Sequence, residues 1–159
     1  MKRFIILITT LILMCTLISC GQSTANPATD PSQPTTQEDD ELMNKTLSLK
    51  IGNIEVDVNW LDNDSVTALK KLAKDGLTIE MHMYDSFEQV GSLGTSIKSD
   101  DTRITTSPGD IVLYSSNQIV IFYDSNTWAY TKLGHINLSK SELTNLLGDG
   151  DVTITITIK

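Results

Sequence analysis

The chain has 159 residues, 40% of them hydrophobic, which is enough for one domain with one core. Twenty acidic residues outnumber twelve basic ones, for a formal net charge of −8. Such a surface repels nucleic-acid phosphates, so general nucleic-acid binding is excluded, and it also repels anionic headgroups. Cysteine occurs only at Cys15 and Cys20, so the remainder of the chain can hold neither a disulfide framework nor a thiolate metal site.

Met1-Lys2-Arg3 gives a positive start, and residues 4–18 are almost wholly apolar, interrupted by Thr9, Thr10 and Thr16. Fifteen helical residues span about 22 Å, short of the roughly 20 residues that a bilayer core requires. The run therefore suits the core of an export signal better than a permanent span. Leu17-Ile18-Ser19-Cys20 follows directly and resembles the lipobox of bacterial lipoproteins. That resemblance implies diacylglycerol on the Cys20 sulfur, cleavage after Ser19, and a cell-membrane address on the extracytoplasmic face. Two or more acyl chains anchor stably where one is marginal. Loss of Lys2 and Arg3 with the signal would leave ten bases against twenty acids, a net charge of −10.

Residues 21–44 contain no aromatic side chain, three prolines (Pro27, Pro31, Pro34) and the acidic run Glu38-Asp39-Asp40-Glu41. This composition has little surface to bury and reads as a disordered tether, with a root-mean-square reach of about 25 to 30 Å. The expected division is a signal peptide over residues 1–19, lipidated Cys20 and tether over 20–44, and a folded domain over 45–159.

From Lys45 the pattern becomes alternating. Leu47, Leu49 and Ile51 share one strand face. Gly52-Asn53 forms a turn, and Ile54, Val56, Val58 and Trp60 repeat every second residue. Asp62-Asn63-Asp64-Ser65 caps a helix carrying Val66, Leu69, Leu72 and Ala73, which ends at Gly76. Leu77, Ile79, Met81 and Met83 resume the strand period, opposite Thr78, Glu80, His82 and Tyr84. Residues 91–110 are turn-rich and read as a long loop with a short element at Ser96-Ile97-Lys98. Pro108-Gly109-Asp110 turns into Ile111-Val112-Leu113-Tyr114, and residues 119–123 are apolar on both faces, as in a covered central strand. Residues 128–133 form another strand, and Ser139 to Glu142 caps a short helix through Leu147. Asp149-Gly150 is a hairpin turn before Val152, Ile154, Ile156 and Ile158. Many short strands with one or two helices point to a mainly β fold, a closed barrel that leaves no exposed edge.

The order of these features resembles a bacterial cyclophilin-like family. The residues that carry the likeness are Pro108-Gly109-Asp110-Ile111-Val112-Leu113-Tyr114, the apolar strand ending Phe122-Tyr123, Thr127-Trp128-Ala129-Tyr130-Thr131-Lys132-Leu133-Gly134-His135-Ile136, and the closing Leu-Leu-Gly-Asp-Gly-Asp-Val-Thr. The resemblance covers about residues 45–159 and implies a cyclophilin-like β-barrel with flanking helices. It also raises prolyl isomerisation. Cyclophilins with that activity carry an arginine ahead of Phe-Met-x-Gln-Gly-Gly-Asp, with a pocket Trp and His later. Here Arg103 precedes Ile104-Thr105-Thr106-Ser107-Pro108-Gly109-Asp110, so only the Gly-Asp survives and the spacing is too short.

Other chemistries lack their residues. Gly91-Ser92-Leu93-Gly94 is not a nucleophile elbow, and Gly148-Asp149-Gly150 is not a dinucleotide loop. Asp62-Asn63-Asp64 begins like a calcium loop but has Ala73 where the bidentate Glu belongs, so its side chains read as helix caps. No cofactor is expected. His82 and His135 are the two histidines, and nothing in the sequence pairs them. Aromatics remain. Tyr84, Tyr114, Trp128 and Tyr130 come from different strands and either fill a barrel or line a ligand groove on its outside. Trp128 and Tyr130, two apart, point the same way.

The reading is a membrane-anchored lipoprotein whose cyclophilin-like domain is a non-catalytic module binding a peptide or a small neutral or cationic ligand. The alternative is an enzyme, either a weak prolyl isomerase or one of another class using His82 or His135.

Overall fold

A computed structural model of the protein describes residues 41–159. The export signal, Cys20 and the tether up to residue 40 lie outside the described residues. Residues 41–43, assigned by composition to the tether, form a turn of helix. The Met43 carbonyl accepts a hydrogen bond from Lys70 Nζ at 3.0 Å.

The strands in chain order are β1 (Leu47–Ile51), β2 (Ile54–Val56), β3 (Val58–Trp60), β4 (Leu77–Tyr84), β5 (Glu88–Ser92), β6 (Thr102–Thr105), β7 (Asp110–Tyr114), β8 (Gln118–Phe122), β9 (Thr127–Ile136) and β10 (Val152–Ile158). Helix α1 (Asp64–Leu72) lies between β3 and β4, and α2 (Lys140–Leu147) between β9 and β10. The strands join antiparallel in the order β2-β1-β10-β4-β5-β8-β7-β9-β3, with β6 added alongside β9.

This sheet is a nearly closed barrel, because its two ends are one piece of chain. β2 pairs with β1 and β3 pairs with β9, yet only Asp57 separates them. Across the seam, Trp60 Nε1 donates to the Leu47 carbonyl at 3.0 Å. A bent strand thus covers edges that would otherwise expose unpaired N–H and C=O groups.

The alternation of apolar residues selects the interior. Leu49, Met81, Ile111, Leu113, Ile121 and Ile156 are fully buried in one large cluster, which Val66 and Leu69 of α1 and Leu143 and Leu147 of α2 join. Both helices begin where the polar residues suggest. Asn63 Oδ1 accepts from Val66 N at 2.9 Å. Ser139 and Glu142 form a reciprocal capping box, satisfying N–H groups that have no partner inside the helix. α1 ends at Leu72 with Ala73 as its cap, a turn before Gly76.

Three local expectations need correction. The stretch read as a loop over residues 91–110 contains the end of β5 and all of β6, and residues 96–98 form no regular element. β6 was concealed because Thr102-Arg103-Ile104-Thr105 has one apolar residue and lies on the barrel's outside, where a strand needs only one covered position. Gly150, with φ +93°, turns the chain from α2 into β10, so Asp149-Gly150 joins a helix to a strand rather than forming a hairpin. The last-but-one strand runs on to Ile136, past the expected end at Leu133.

Candidate functional site

A second, smaller core lies on the outer face of the barrel. Val112, Val120, Phe122 and Tyr130 are buried there, backed by Phe87, Val90, Ile104 and Tyr114. The register shows why. Tyr84 stands opposite Glu88, Glu88 opposite Phe122, Val90 opposite Val120, and Val120 opposite Val112. Directly opposed residues in an antiparallel pair share a face, so this row crosses β4, β5, β8 and β7 on one side of the sheet. Ring contacts carry it to β9, with Tyr114 edge-on to Tyr130 at 5.9 Å and Phe122 edge-on to Tyr130 at 5.6 Å. Aromatic pairs in this geometry are favoured beyond the area they bury.

Above this layer opens a cavity of about 350 Å³, lined by Tyr84, Glu88, Val90, Tyr114, Gln118, Val120, Asn126, Trp128 and Tyr130. All four aromatic residues singled out from the sequence, Tyr84, Tyr114, Trp128 and Tyr130, border it. Trp128 is 53% exposed and Tyr84 62% exposed, so these two form its rim, while Tyr130 is 4% exposed and forms its wall. Asn126 Nδ2 donates to the Tyr130 hydroxyl at 3.0 Å and fixes that ring. Beyond Tyr84, Val90 and Gln118, which border both, a second depression of about 460 Å³ continues toward Glu80 and His82.

Two of the cavity tyrosines, Tyr84 and Tyr114, are held by unusual turns. Tyr84 and Tyr114 each open a tight turn, closed by the Phe87 and Asn117 N–H groups, with Asp85-Ser86 and Ser115-Ser116 at its centre, and all four central residues have φ between +47° and +63°. Left-handed backbone costs a non-glycine residue about 1 to 2 kcal/mol, yet these tight turns match the twist of the strands they join. They place Tyr84 against Glu88 and Tyr114 against Gln118.

Glu88 was missed by the sequence reading. It is 7% exposed, and among the described residues its Oε2 has no hydrogen-bond partner and no lysine, arginine or histidine lines the cavity. Burial, aided by the charge of Asp85, pushes its carboxyl up to about 7. Burial and the Glu88 charge also raise the Tyr130 and Tyr123 hydroxyls. A two-residue turn at Asp85-Ser86 would set Tyr84 opposite Phe87; the observed register places one more residue in the connection and sets Tyr84 opposite Glu88.

The histidines do not converge. His82 Nδ1 lies 2.8 Å from Asp151 Oδ2 in an exposed pair, whereas His135 Nδ1 lies 2.8 Å from the Oδ1 of buried Asp110. Lys132 Nζ reaches the same Oδ1 at 2.8 Å. Residues three apart on a regular strand face opposite ways. A bulge in β9, opposite Ile111 and Val112, brings Lys132 and His135 to one face. Ser107 donates to Asp110 Oδ2 through its backbone N–H at 3.0 Å. Burial raises the Asp110 carboxyl, but the bonds from Lys132, His135 and Ser107 outweigh it and hold the group below its usual range. Gly109 fits because a Cβ there would stand 2.7 Å from the Ile136 carbonyl. The Pro-Gly-Asp and Leu-Gly-His motifs thus weld β7 to β9 and stand behind the structure rather than in the cavity. Arg103 lies exposed on β6 and does not line the cavity. Among the described residues, no group of three or more His, Cys, Asp or Glu side chains converges as a metal site would require.

A nearly closed antiparallel barrel with helices over its interior and an aromatic cavity on its outer wall defines a small β-barrel domain of the cyclophilin type. The sequence agrees, since residues 49–159 match the cyclophilin-like family, and the chain belongs to that family. No curated protein and no solved structure matches the chain.

Proposed function

We propose that the domain is a ligand-binding module, carried on the extracytoplasmic face of a membrane by lipid on Cys20, and that its ligand enters the cavity between Tyr84, Tyr114, Trp128 and Tyr130. One observation carries this reading: four aromatic side chains from three strands converge on one outward cavity, and two of them stand more than half exposed. Large exposed aromatics around a concavity are the side chains most often found as binding anchors. The volume sits at the lower end of the range for small-molecule sites, which suits a small ligand or one peptide side chain. The tether rests on the lipobox-like Leu17-Ile18-Ser19-Cys20 and on the composition of residues 21–40. Among the described residues, no helix is long and apolar enough to cross a membrane.

A second reading has one observation behind it. A carboxyl raised to about 7 inside a cavity is suited to moving protons, so Glu88 could serve an enzyme. Among the described residues, the cavity lining offers it no histidine, no second carboxyl and no arginine of the kind cyclophilin isomerases carry, which favours binding over catalysis.

Trp128→Ala tests the module. Binding of a ligand should be lost while thermal unfolding stays close to that of the native protein. A loss of about 3 to 5 kcal/mol, as for a buried Trp, would show a core role and remove the site. For the anchor, Cys20→Ser should leave the membrane fraction or remain uncleaved, and unchanged maturation and fractionation would refute the lipid tether.

A further inference from the structure

A carboxylate buried without a partner is a costly feature. Ion pairs or hydrogen bonds normally compensate such a group, and Asp110 in the same sheet has three donors, Lys132, His135 and Ser107. Glu88 Oε2 has none. The charged and titratable groups facing it are Asp85 from the β4–β5 turn, Tyr84 from β4, Tyr114 from β7, Tyr123 after β8 and Tyr130 from β9. None of these is a cation. The nearest charge is another acid.

The walls point the same way. The negative faces of tyrosine and tryptophan rings attract cations, most strongly where water is excluded. Three tyrosines and a tryptophan surround the mouth and walls, and Val90 and Val120 make the floor apolar. The chain's net charge of −8 adds a long-range pull of the same sign.

Resting on the binding reading above, we propose that the ligand is a small organic cation, with an alkyl- or methylammonium group seated among Tyr114, Trp128 and Tyr130 and Glu88 as its counter-ion. The empty cavity keeps Glu88 largely protonated in mildly acidic solution. When the ammonium enters, the Glu88 proton passes to solvent and the carboxylate stays charged beside the ligand. Binding therefore releases a proton and strengthens as pH rises through 7. The ligand's cation replaces the partner that the fold does not supply.

The test uses choline and its neutral isostere 3,3-dimethylbutan-1-ol, which differ in a quaternary nitrogen against a quaternary carbon. Both are titrated against the mature chain by tryptophan fluorescence and calorimetry at pH 5 and pH 8. Choline should bind at least about tenfold more tightly than the alcohol at pH 8, the charged pair being worth more than 1.4 kcal/mol. Its affinity should fall by about 50- to 100-fold at pH 5, where only about one Glu88 in a hundred is ionised. Calorimetry in two buffers of different ionisation heat should show proton release near pH 7. Glu88→Gln should remove the pH dependence and cut the choline preference at pH 8 to the smaller share that the aromatic walls supply. Equal binding of both probes, lost in Trp128→Ala, would overturn the cation assignment and leave the binding module standing. Failure of both probes to bind at millimolar concentration would overturn the cation assignment as well as this use of the cavity.

Discussion

The two faces of the same sheet are built on different rules. The interior is mainly aliphatic, with Leu49, Ile111, Leu113 and Ile121 among its fully buried members, Tyr123 among its buried residues and Trp60 packed half-buried against it. The outer face between β4 and β9 is aromatic, from Tyr84 through Phe87, Phe122 and Tyr114 to Tyr130. Inside a small barrel, branched aliphatic side chains fill the tapering space at crystal-like density. On the outside no second layer covers the sheet completely, and flat rings shield a strip of strand while leaving a concavity. One face supplies stability and the other supplies a surface with something left to bind.

Substitutions on the two faces sharpen that contrast. The largest effect is expected inside. Leu113→Ala should cost about 3 to 5 kcal/mol in urea unfolding, while the outer cavity keeps its affinity for whatever it binds. A cost below about 1 kcal/mol would mean that the interior is not close-packed.

Asp110→Ala should come next, at about 2 to 3 kcal/mol, because Lys132, His135 and Ser107 lose their shared acceptor. The native Asp110 carboxyl is held below its ordinary range. Its contribution is therefore complete above the unfolded-state value and disappears as pH falls through the lower folded value. Acid unfolding followed by circular dichroism should show the native protein losing its advantage over Asp110→Asn below about pH 4.

Glu88 should behave in the opposite sense. Its carboxyl is raised from 4.5 to about 7, so the folded state favours the proton. The stabilisation from that proton is fully present below about pH 4.5 and is lost as pH rises through 7. Glu88→Gln imitates the protonated form. It should match the native protein at pH 4 and exceed it by about 2 to 3 kcal/mol at pH 8. An equal stability difference at both pH values would place Glu88 in water.

The smallest expected effect lies at the rim. Ser86→Gly and Ser116→Gly relieve left-handed backbone in the two turns and should each add about 0.5 to 1 kcal/mol. Thermal melts that fall instead would show that the serines are held by more than their turns.

Much of this molecule was readable in advance. Leu47-Ser48-Leu49, Val152-Thr153-Ile154 and Leu77-Thr78-Ile79 announce half-buried strands because a pleated sheet repeats every two residues. Asn63 and Ser139 announce helix starts because the first N–H groups of a helix need side-chain acceptors. Tyr84, Tyr114, Trp128 and Tyr130 could be nominated because they are large rings on different strands, and Trp128 and Tyr130 share one parity of theirs. Glu88 could not, since Phe87-Glu88-Gln89 reads as an ordinary polar strand end. Nor could the Asp110 cluster, because a bulge in β9 reverses the parity that would separate Lys132 from His135.

The sequence by itself determined most of the strands, though not β6, their alternation, the helix caps and the lipobox-like cysteine, all of which depend on neighbours a few residues away. The tertiary structure alone decided which parity faces inward, since alternation is symmetric until a barrel closes around one set. It closed around the aliphatic set, which fills a narrow interior more completely than rings do. That choice left the four aromatics outside and brought Glu88, distant in sequence from Tyr130, into their midst without a partner.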